Sequence, residues 1–300
     1  MRQKLKAILP TPLLNLRFMF GAAPLAYRPG HFYSAICDPS ILDRYYRDPQ
    51  TSRTPQEAIR GIDFNEQEQR RLWAAWAGYL QAFPFPETKR DFRYFYQNAA
   101  FAVGDAMILH CVLRHFKPHR IIEIGSGFSS ACTLDTIEHH LGDDVRCTFV
   151  DPHPELLYGI MTQRDRSRHA VIPKQVQDVP LETFDQLEPN DILFIDSTHV
   201  LKTGSDVAFE LFEVLPRLKK GVIIHIHDMF YPFEYPREWV IDSNRSWNEV
   251  YAVRALLMNN PDFRILFFND YFSRFADDLI KRDAPRMLEN IGGSLWIQRT

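Results

Sequence analysis

The sequence has few cysteines, little net charge and no long apolar run, and each shortage excludes a class of protein. Its 300 residues include four cysteines without CxxC spacing, which argues against a zinc ribbon or dithiol motif and predicts free thiols in a reducing cytoplasm. The net charge of −3 gives no overall attraction for nucleic acid, so we expect no nucleic-acid partner. A hydrophobic content of 45% and a charged content of 24% are typical of an ordinary globular protein.

The N-terminal segment is the part of the chain that imitates a targeting or membrane sequence. Three basic residues precede an apolar stretch in MRQKLKAILPTPLLNLRFMFGAAPLAY. Pro10, Pro12, Asn15 and Arg17 interrupt that stretch, so it falls short of the ~20 apolar residues that a membrane-spanning helix needs. We expect an irregular arm lying on the globule and no integral membrane segment, with peripheral membrane contact as the alternative.

Short apolar runs alternate with helix-like segments from about residue 119 onward. The first five runs leave room for a helical crossover between them, and their near-continuous apolar character is typical of strands buried on both faces. This alternation predicts a doubly wound α/β fold. The predicted strands are RIIEIG (120–125), VRCTFV (145–150), HAVIP (169–173), DILFID (191–196), GVIIHIH (221–227), FRILFF (263–268) and SLWIQR (294–299). The predicted helices cover residues 65–83, 98–116, 129–140, 154–163, 203–215 and 246–258.

The first 92 residues have a different pattern and predict an N-terminal helical cap on a main domain of residues 93–300. Leu72, Trp76 and Leu80 stand at helical spacing, and the segment PFPE ends their helix. The aromatic segments at 29–39 and 93–101 predict ordinary packing between cap and core, with an acceptor pocket or a lid as the alternative.

The segment EIGSGFSS (123–130) connects the first predicted strand to a helix through a glycine-rich turn. Glycines let a backbone turn tightly and approach a ligand without a Cβ in the way, and free N–H groups at the helix start can face that ligand. A dinucleotide site would carry GxGxxG, but Ser130 stands at the third glycine position. Glu123 would also be unfavourable beside a diphosphate. An NAD-linked oxidoreductase is therefore the weaker interpretation.

The pattern E-x-G-x-G resembles motif I of the class I S-adenosylmethionine-dependent methyltransferases. The resemblance covers residues 95–300 and continues at the ends of later strands in FVDPHPE, VQDVP and DILFID. It implies a Rossmann-like sheet of seven strands, six parallel and the last antiparallel, with S-adenosylmethionine as cofactor. The acid at 151 would bind the ribose hydroxyls and the acid at 178 would lie near the adenine. The implied cofactor-binding residues are Glu123, Gly125, Ser126, Gly127, Asp151, Asp178 and Asp196.

Acids and imidazoles follow the fourth and fifth predicted strands, in FIDSTHV (194–200) and IHIHDMFYP (224–232). Carboxyl ends of neighbouring parallel strands lie ~5 Å apart, and ligands bind outside them. The arrangement is similar to that of the metal-dependent O-methyltransferases of the catechol and macrocin type, which implies a divalent metal held by Asp196, His227 and Asp228. Oxygen ligands suit Mg²⁺, whereas an imidazole favours Mn²⁺, Fe²⁺ or Zn²⁺. Alternatively, His227 donates a hydrogen bond to the substrate.

His199 stands three residues after Asp196, at the position of a basic lysine in the resembled family. The resemblance implies that His199 takes the proton of an acceptor hydroxyl, with Asp196 as the second catalytic residue. The proline-rich loop DMFYPFEYPREW (228–239) is expected to shape the substrate site.

The predicted function is therefore methyl transfer from S-adenosylmethionine to a small molecule, at a hydroxyl group, in the cytoplasm. Two alternatives stay open: an NAD-linked oxidoreductase on a related sheet, and a non-catalytic binding protein with this fold. A homo-oligomer is compatible with the sequence.

Overall fold

The computed structural model describes residues 27, 30–47 and 59–300. Within these residues seven strands form one sheet, and each strand lies on a run that the sequence predicts as a strand. The strands are β1 (Arg120–Ile124), β2 (Arg146–Val150), β3 (Ala170–Ile172), β4 (Ile192–Ile195), β5 (Ile223–Ile226), β6 (Phe263–Phe268) and β7 (Leu295–Arg299). Most of the predicted N-terminal arm lies outside the described residues.

The sheet has the strand order β3-β2-β1-β4-β5-β7-β6. Strands β1 to β5 pair in parallel, whereas β7 runs antiparallel to both of its neighbours, β5 and β6. Six strands therefore point one way and β7 the other, which confirms the predicted Rossmann-like fold. Ile124 lies beside Ile195, and Ile195 lies beside Ile226, so the residues that follow β1, β4 and β5 meet at the same edge.

The described residues also form α-helices, six of which coincide with predicted helices. They are α1 (Pro39–Arg47), α2 (Glu66–Gln81), α3 (Val103–Phe116), α4 (Phe128–Thr136), α5 (Glu155–Ile160), α6 (Gln163–Arg168), α7 (Asp206–Phe209), α8 (Glu249–Leu257), α9 (Asn269–Phe275) and α10 (Asp277–Asp283). Turns of π-helix cover Ile137–Leu141, Glu210–Val214 and Glu238–Asp242. Turns of 3₁₀-helix cover Val176–Asp178, Leu181–Gln186, Leu215–Arg217 and Pro285–Glu289.

Side-chain caps fix the start of two short helices. Thr162 accepts a hydrogen bond from the Asp165 N–H at 3.2 Å, and the Asp165 carboxylate accepts one from the Thr162 N–H at 2.7 Å. This reciprocal capping box begins α6, a helix that the sequence analysis does not predict. Ser205 caps α7 by accepting from the Ala208 N–H at 3.2 Å. The Thr-x-x-Asp spacing is the signal from which α6 could have been predicted.

Aromatic residues of α2 and β6 form part of the core. Trp73 and Trp76 are fully buried, and the Trp76 and Phe267 ring centroids lie 5.2 Å apart. The Trp73 Nε1–H donates to Asp283 Oδ2 at 2.8 Å, which satisfies its one polar atom. This packing makes α2 part of the same core as the sheet.

The chain divides into two compact units. The smaller comprises Met1–Arg53 and Pro236–Ser246, and the larger comprises Thr54–Tyr235 and Trp247–Thr300. The larger unit includes α2 and the segment up to residue 92, which the sequence analysis assigns to the cap. A domain boundary after residue 92 stays a prediction.

Membrane-crossing helices and disulfides are both absent from the described residues. None of the helices there combines the length and the apolar composition that a crossing requires. The four cysteines are free thiols, three of them buried and Cys37 exposed.

Candidate active site

The turn after β1 contains a glycine that the fold itself requires. Gly125 has φ +80°, and a Cβ at this position would lie 1.9 Å from the carbonyl oxygen of Asp196. The neighbouring end of β4 therefore leaves no room for a side chain. At Gly127 a Cβ would meet nothing nearer than Leu156 Cδ2 at 3.6 Å, an ordinary contact. The two glycines of the motif thus stand under different constraints.

The buried carboxylate of Glu123 is bonded to the residues that follow the glycine turn. Its carboxylate is buried and accepts hydrogen bonds from the hydroxyls of Ser129 at 2.6 Å and Ser130 at 2.8 Å. Ser130 Oγ in turn accepts from the Gly127 N–H at 3.1 Å. Burial raises the pKa of Glu123 to about 8, against the lowering effect of the two serine hydrogen bonds. These bonds join the end of β1 to the start of α4, and the predicted cofactor contact of Glu123 stays a prediction.

An open cleft of about 650 Å³ lies outside the ends of β1, β2 and β4, and we call it the strand-end cleft. Of the predicted cofactor-binding residues, this cleft is lined by Gly125, Ser126, Asp151 and Asp196. The other three, Glu123, Gly127 and Asp178, do not line it.

Asp151 is anchored at the mouth of the strand-end cleft. Its Oδ2 accepts from the Ser126 hydroxyl at 2.5 Å, and its Oδ1 accepts from the His153 N–H at 2.7 Å. Asp178 is exposed, and the cleft is instead lined by its neighbours Val176 and Gln177. The adenine contact predicted at Asp178 stays a prediction, and in this turn it is Val176 and Gln177 that line the cleft.

The loop after β4 forms the opposite wall of the strand-end cleft. Thr198 donates to Asp206 through its hydroxyl at 2.6 Å and its N–H at 3.0 Å. Ser197 donates its hydroxyl to Glu210 Oε2 at 3.0 Å, and burial raises the pKa of Glu210 well above its usual range. These bonds hold the wall against α7 and the π turn that follows it.

The residues predicted for catalysis and metal binding meet beyond this wall. His199 Nε2 lies 3.7 Å from Asp196 Oδ1 and 3.4 Å from Asp228 Oδ2. His227 Nε2 lies 3.5 Å from Asp228 Oδ1. His199 has φ +61° and Asp228 has φ +56°, a left-handed backbone that is strained for residues other than glycine. Such strain at adjacent strand ends is typical of functional sites.

Glu249 completes this group and was missed by the sequence analysis. Its Oε2 lies 2.9 Å from His199 Nδ1, and both side chains are buried. The N–H groups of Asn248 and Glu249 donate to the His199 carbonyl oxygen at 3.1 and 3.2 Å. The first turn of α8 therefore fixes both the backbone and the ring of His199. Fifty positions separate the two residues, and no local spacing connects them.

Carboxylates around the two imidazoles raise their pKa values. For His199, burial disfavours the charged ring, but Glu249, Asp228 and Asp196 together hold its pKa above the usual value. For His227, burial acts in the same sense, and Asp196, Asp228 and Asp105 raise its pKa to about 9. The surrounding carboxylates thus favour the charged form of both rings.

The predicted metal site does not fit this geometry. Across the described residues, no group of three His, Cys, Asp or Glu side chains is arranged to hold a metal ion. The His199 ring approaches both Asp196 and Asp228, so the carboxylates already have an imidazole as their positive partner. Asp196, His227 and Asp228 thus form, with His199, a cluster of opposite charges, and we derive no step through a metal.

Aromatic side chains border the two imidazoles. The ring centroid of Trp247 lies 4.5 Å from that of His199, and Phe101 lies 5.4 Å from His227. The loop after β5 is fixed at Met229, whose N–H donates to Gly293, and at Tyr231, whose N–H donates to Asp270. An acceptor that reached His199 would therefore meet apolar ring surface.

Comparison with known proteins identifies a family match that begins within β1. Residues 122–229 match a family described as "Methyltransferase domain". An uncharacterized protein of Archaeoglobus fulgidus is 34% identical over 172 residues, which cover 55% of this chain and 76% of that protein.

Two solved structures are more distantly similar. The SAH-bound methyltransferase PaMTH1 of Podospora anserina has 15% identity and a TM-score of 0.41, covering 92% of this chain and 100% of its own. The O-methyltransferase of Bacillus cereus in complex with SAH has 14% identity and a TM-score of 0.41, covering 87% of this chain and 97% of its own. We take no residue role from either.

Proposed function

We propose that this chain, which belongs to one family with the archaeal protein and matches a methyltransferase domain over residues 122–229, transfers a methyl group from S-adenosylmethionine to a hydroxyl group of a small molecule. The observation that carries the proposal is the buried His199–Glu249 pair, with its free ring nitrogen facing Asp196 at the strand-end cleft. An imidazole held in this way is suited to accept a proton from a reacting hydroxyl.

The residues of the strand-end cleft fit the cofactor. A carboxylate has about four acceptor positions, and Asp151 uses two of them for Ser126 and His153, which leaves acceptors for the two ribose hydroxyls. Gly127 does not itself line the cleft but follows the lining residue Ser126, and no protein contact demands glycine there, which leaves room for a ligand close to this backbone. When bound, S-adenosylmethionine supplies an electrophilic methyl group.

The chain's own residues would then orient the acceptor and hold its proton. His199 Nδ1–H donates to Glu249, which leaves Nε2 to receive the hydroxyl proton. Asp196 lines the cleft and lies next to this nitrogen, so it stabilises the imidazolium that forms and orients the acceptor hydroxyl. Apolar rings at Trp247 and Phe101 exclude water from the two imidazoles.

A methyl-transfer screen tests the proposal directly. The purified full chain is incubated with methyl-labelled S-adenosylmethionine and a panel of hydroxylated and amine metabolites, with and without chelator, and products are identified by mass spectrometry. We expect label on a hydroxyl compound at the same rate in both arms. Label only on amines contradicts the hydroxyl assignment, and loss of transfer in chelator contradicts the metal-free scheme. Cofactor binding without any transfer would favour the non-catalytic alternative.

Replacement of Asp151 should weaken cofactor binding. In Asp151→Ala the ribose loses its charged acceptor, and each such hydrogen bond contributes ~1.5–3 kcal/mol, so we expect at least a tenfold rise in Kd. Titration calorimetry with S-adenosylmethionine measures this, and Asp178→Ala, at an exposed position outside the lining, serves as the matched control with unchanged Kd. Tight NAD binding by the wild type, without a response to S-adenosylmethionine, would instead identify an oxidoreductase.

The rate of methyl transfer should rise with pH through the pKa of His199. A base must be unprotonated to act, and the carboxylates around His199 hold its pKa above the usual value of about 6.5. The charged form therefore dominates below that raised pKa, and kcat increases as the pH passes through it. A kcat–pH profile with its midpoint at or below pH ~6.5 would contradict His199 as the base.

A further inference from the structure

The N-terminal end of the chain contains basic residues but no acidic ones. The first 37 residues contain five Lys and Arg residues and no Asp or Glu, so the remaining residues hold 30 basic side chains against all 38 acidic ones. The nearly neutral total thus hides a basic N-terminal segment attached to an acidic body. A basic arm of this kind attracts a polyanionic surface.

The same segment is unusually apolar. Of its 37 residues 21 are hydrophobic, a higher share than the 45% of the whole chain. Prolines at 10, 12 and 24 interrupt the apolar stretches, so the segment is not suited to span a bilayer as a helix. Binding to nucleic acid requires basic residues but not aliphatic ones. A segment that combines basic and aliphatic residues and has no acids is therefore better suited to a lipid bilayer.

The described part of this segment displays large side chains to solvent. Phe32 is 82% exposed and Tyr33 is 68% exposed. Their turn is held by its own backbone, because the Gly30 N–H donates to Ile36 O at 2.9 Å and the Ser34 N–H donates to His31 O at 2.7 Å. The rings are therefore presented by a hydrogen-bonded turn, which we call the aromatic turn (residues 30–36).

We propose that the aromatic turn and the basic N-terminal segment bind the surface of an anionic lipid bilayer. Aromatic side chains favour the interface between headgroups and acyl chains, where one end of the ring is apolar and the other is wet. Exposed rings alone anchor a protein weakly, and the five basic residues provide the second, electrostatic signal that stable attachment requires. This proposal does not depend on the acceptor or on the catalytic scheme.

Vesicle co-sedimentation of the full chain tests the surface. We expect binding to vesicles made of equal parts phosphatidylcholine and phosphatidylglycerol, no binding to phosphatidylcholine alone, and loss of binding in high salt. The double variant Phe32→Ser/Tyr33→Ser should bind at least tenfold more weakly. Lys4→Gln/Lys6→Gln should bind about 30-fold more weakly, because each basic residue near such a surface strengthens binding roughly fivefold.

Phe212→Ser is the matched control, since Phe212 is 62% exposed but lies far along the chain in the π turn after α7. It should bind vesicles as the wild type does, and thermal unfolding should show that every variant is folded. The proposal is overturned if the wild type stays in the supernatant with anionic vesicles, if neutral vesicles bind it equally well, or if Phe212→Ser loses binding as the double variant does. Binding to duplex RNA without vesicle binding would assign the segment to nucleic acid instead.

Discussion

Replacement of His199 by alanine is expected to lower kcat for methyl transfer by ~10²–10⁴-fold, the usual range for loss of a general base. His199 Nε2 is the nitrogen that faces Asp196 at the strand-end cleft, and its partner Glu249 holds the other nitrogen at 2.9 Å. Because the proposed cofactor contacts lie at the ends of β1 and β2, the cofactor Kd should stay within a fewfold of the wild-type value. Steady-state kinetics with the acceptor found by the screen, together with calorimetry, measure both quantities.

Glu249→Gln separates the chemical role of His199 from a structural one. The amide retains a hydrogen-bond acceptor near Nδ1 but removes the negative charge, so the pKa of His199 should fall. The kcat–pH profile should move to lower pH, and kcat should drop less than in His199→Ala. An unchanged profile would show that His199 does not titrate in catalysis. If His199→Ala raised the cofactor Kd by the same factor by which it lowered kcat, the variant would act by disturbing the fold and not by removing a base.

Gly125→Ala is expected to destabilise the fold by roughly 3–5 kcal/mol. The new Cβ would lie 1.9 Å from the Asp196 carbonyl oxygen, and alanine would also have to adopt φ +80°. Both costs are present without any ligand, so urea unfolding of the cofactor-free protein measures them. An alanine variant as stable as the wild type would mean that the ends of β1 and β4 are farther apart than in this structure.

Gly127→Ala is the matched comparison at the same turn. Its Cβ would have only an ordinary contact with Leu156, so its stability should stay within about 1 kcal/mol of the wild type. Its affinity for S-adenosylmethionine should nevertheless fall at least tenfold if the cofactor passes close to this backbone. Equal affinity in Gly127→Ala would place the cofactor elsewhere in the cleft.

The sheet and the position of the cleft could be predicted from the sequence because both depend on local signals. Buried parallel strands carry continuous apolar runs, and the glycine turn marks the end of β1. The acid after β2 was likewise predictable, and Asp151 does line the cleft. The sequence prediction chose Asp178, whereas its neighbours Val176 and Gln177 line the cleft. All three residues lie in one short 3₁₀ turn, and the turn determines which of them face the cleft.

The partners of the charged side chains could not be predicted in the same way. Glu249 reaches His199 because α8 packs at the end of β4, which is a tertiary contact without a sequence signature. Glu123 turns towards Ser129 and Ser130 because it is buried under the start of α4, where its carboxylate needs donors. The metal prediction lacks support for a similar reason: the sequence brings acids and imidazoles together but does not give their mutual distances, and the described residues contain no group arranged to hold an ion.

The place of β7 in the sheet has a consequence for how the protein is made. β7 comes last in chain order, yet it lies between β5 and β6 and pairs along the whole of β5, from Ile223 opposite Gln298 to Ile226 opposite Leu295. A chain emerging from the ribosome therefore exposes one edge of β5 until residues 295–299 have been synthesised. His227 and Asp228 follow directly after β5, so the strand that carries them gains its second neighbour only when translation has reached β7.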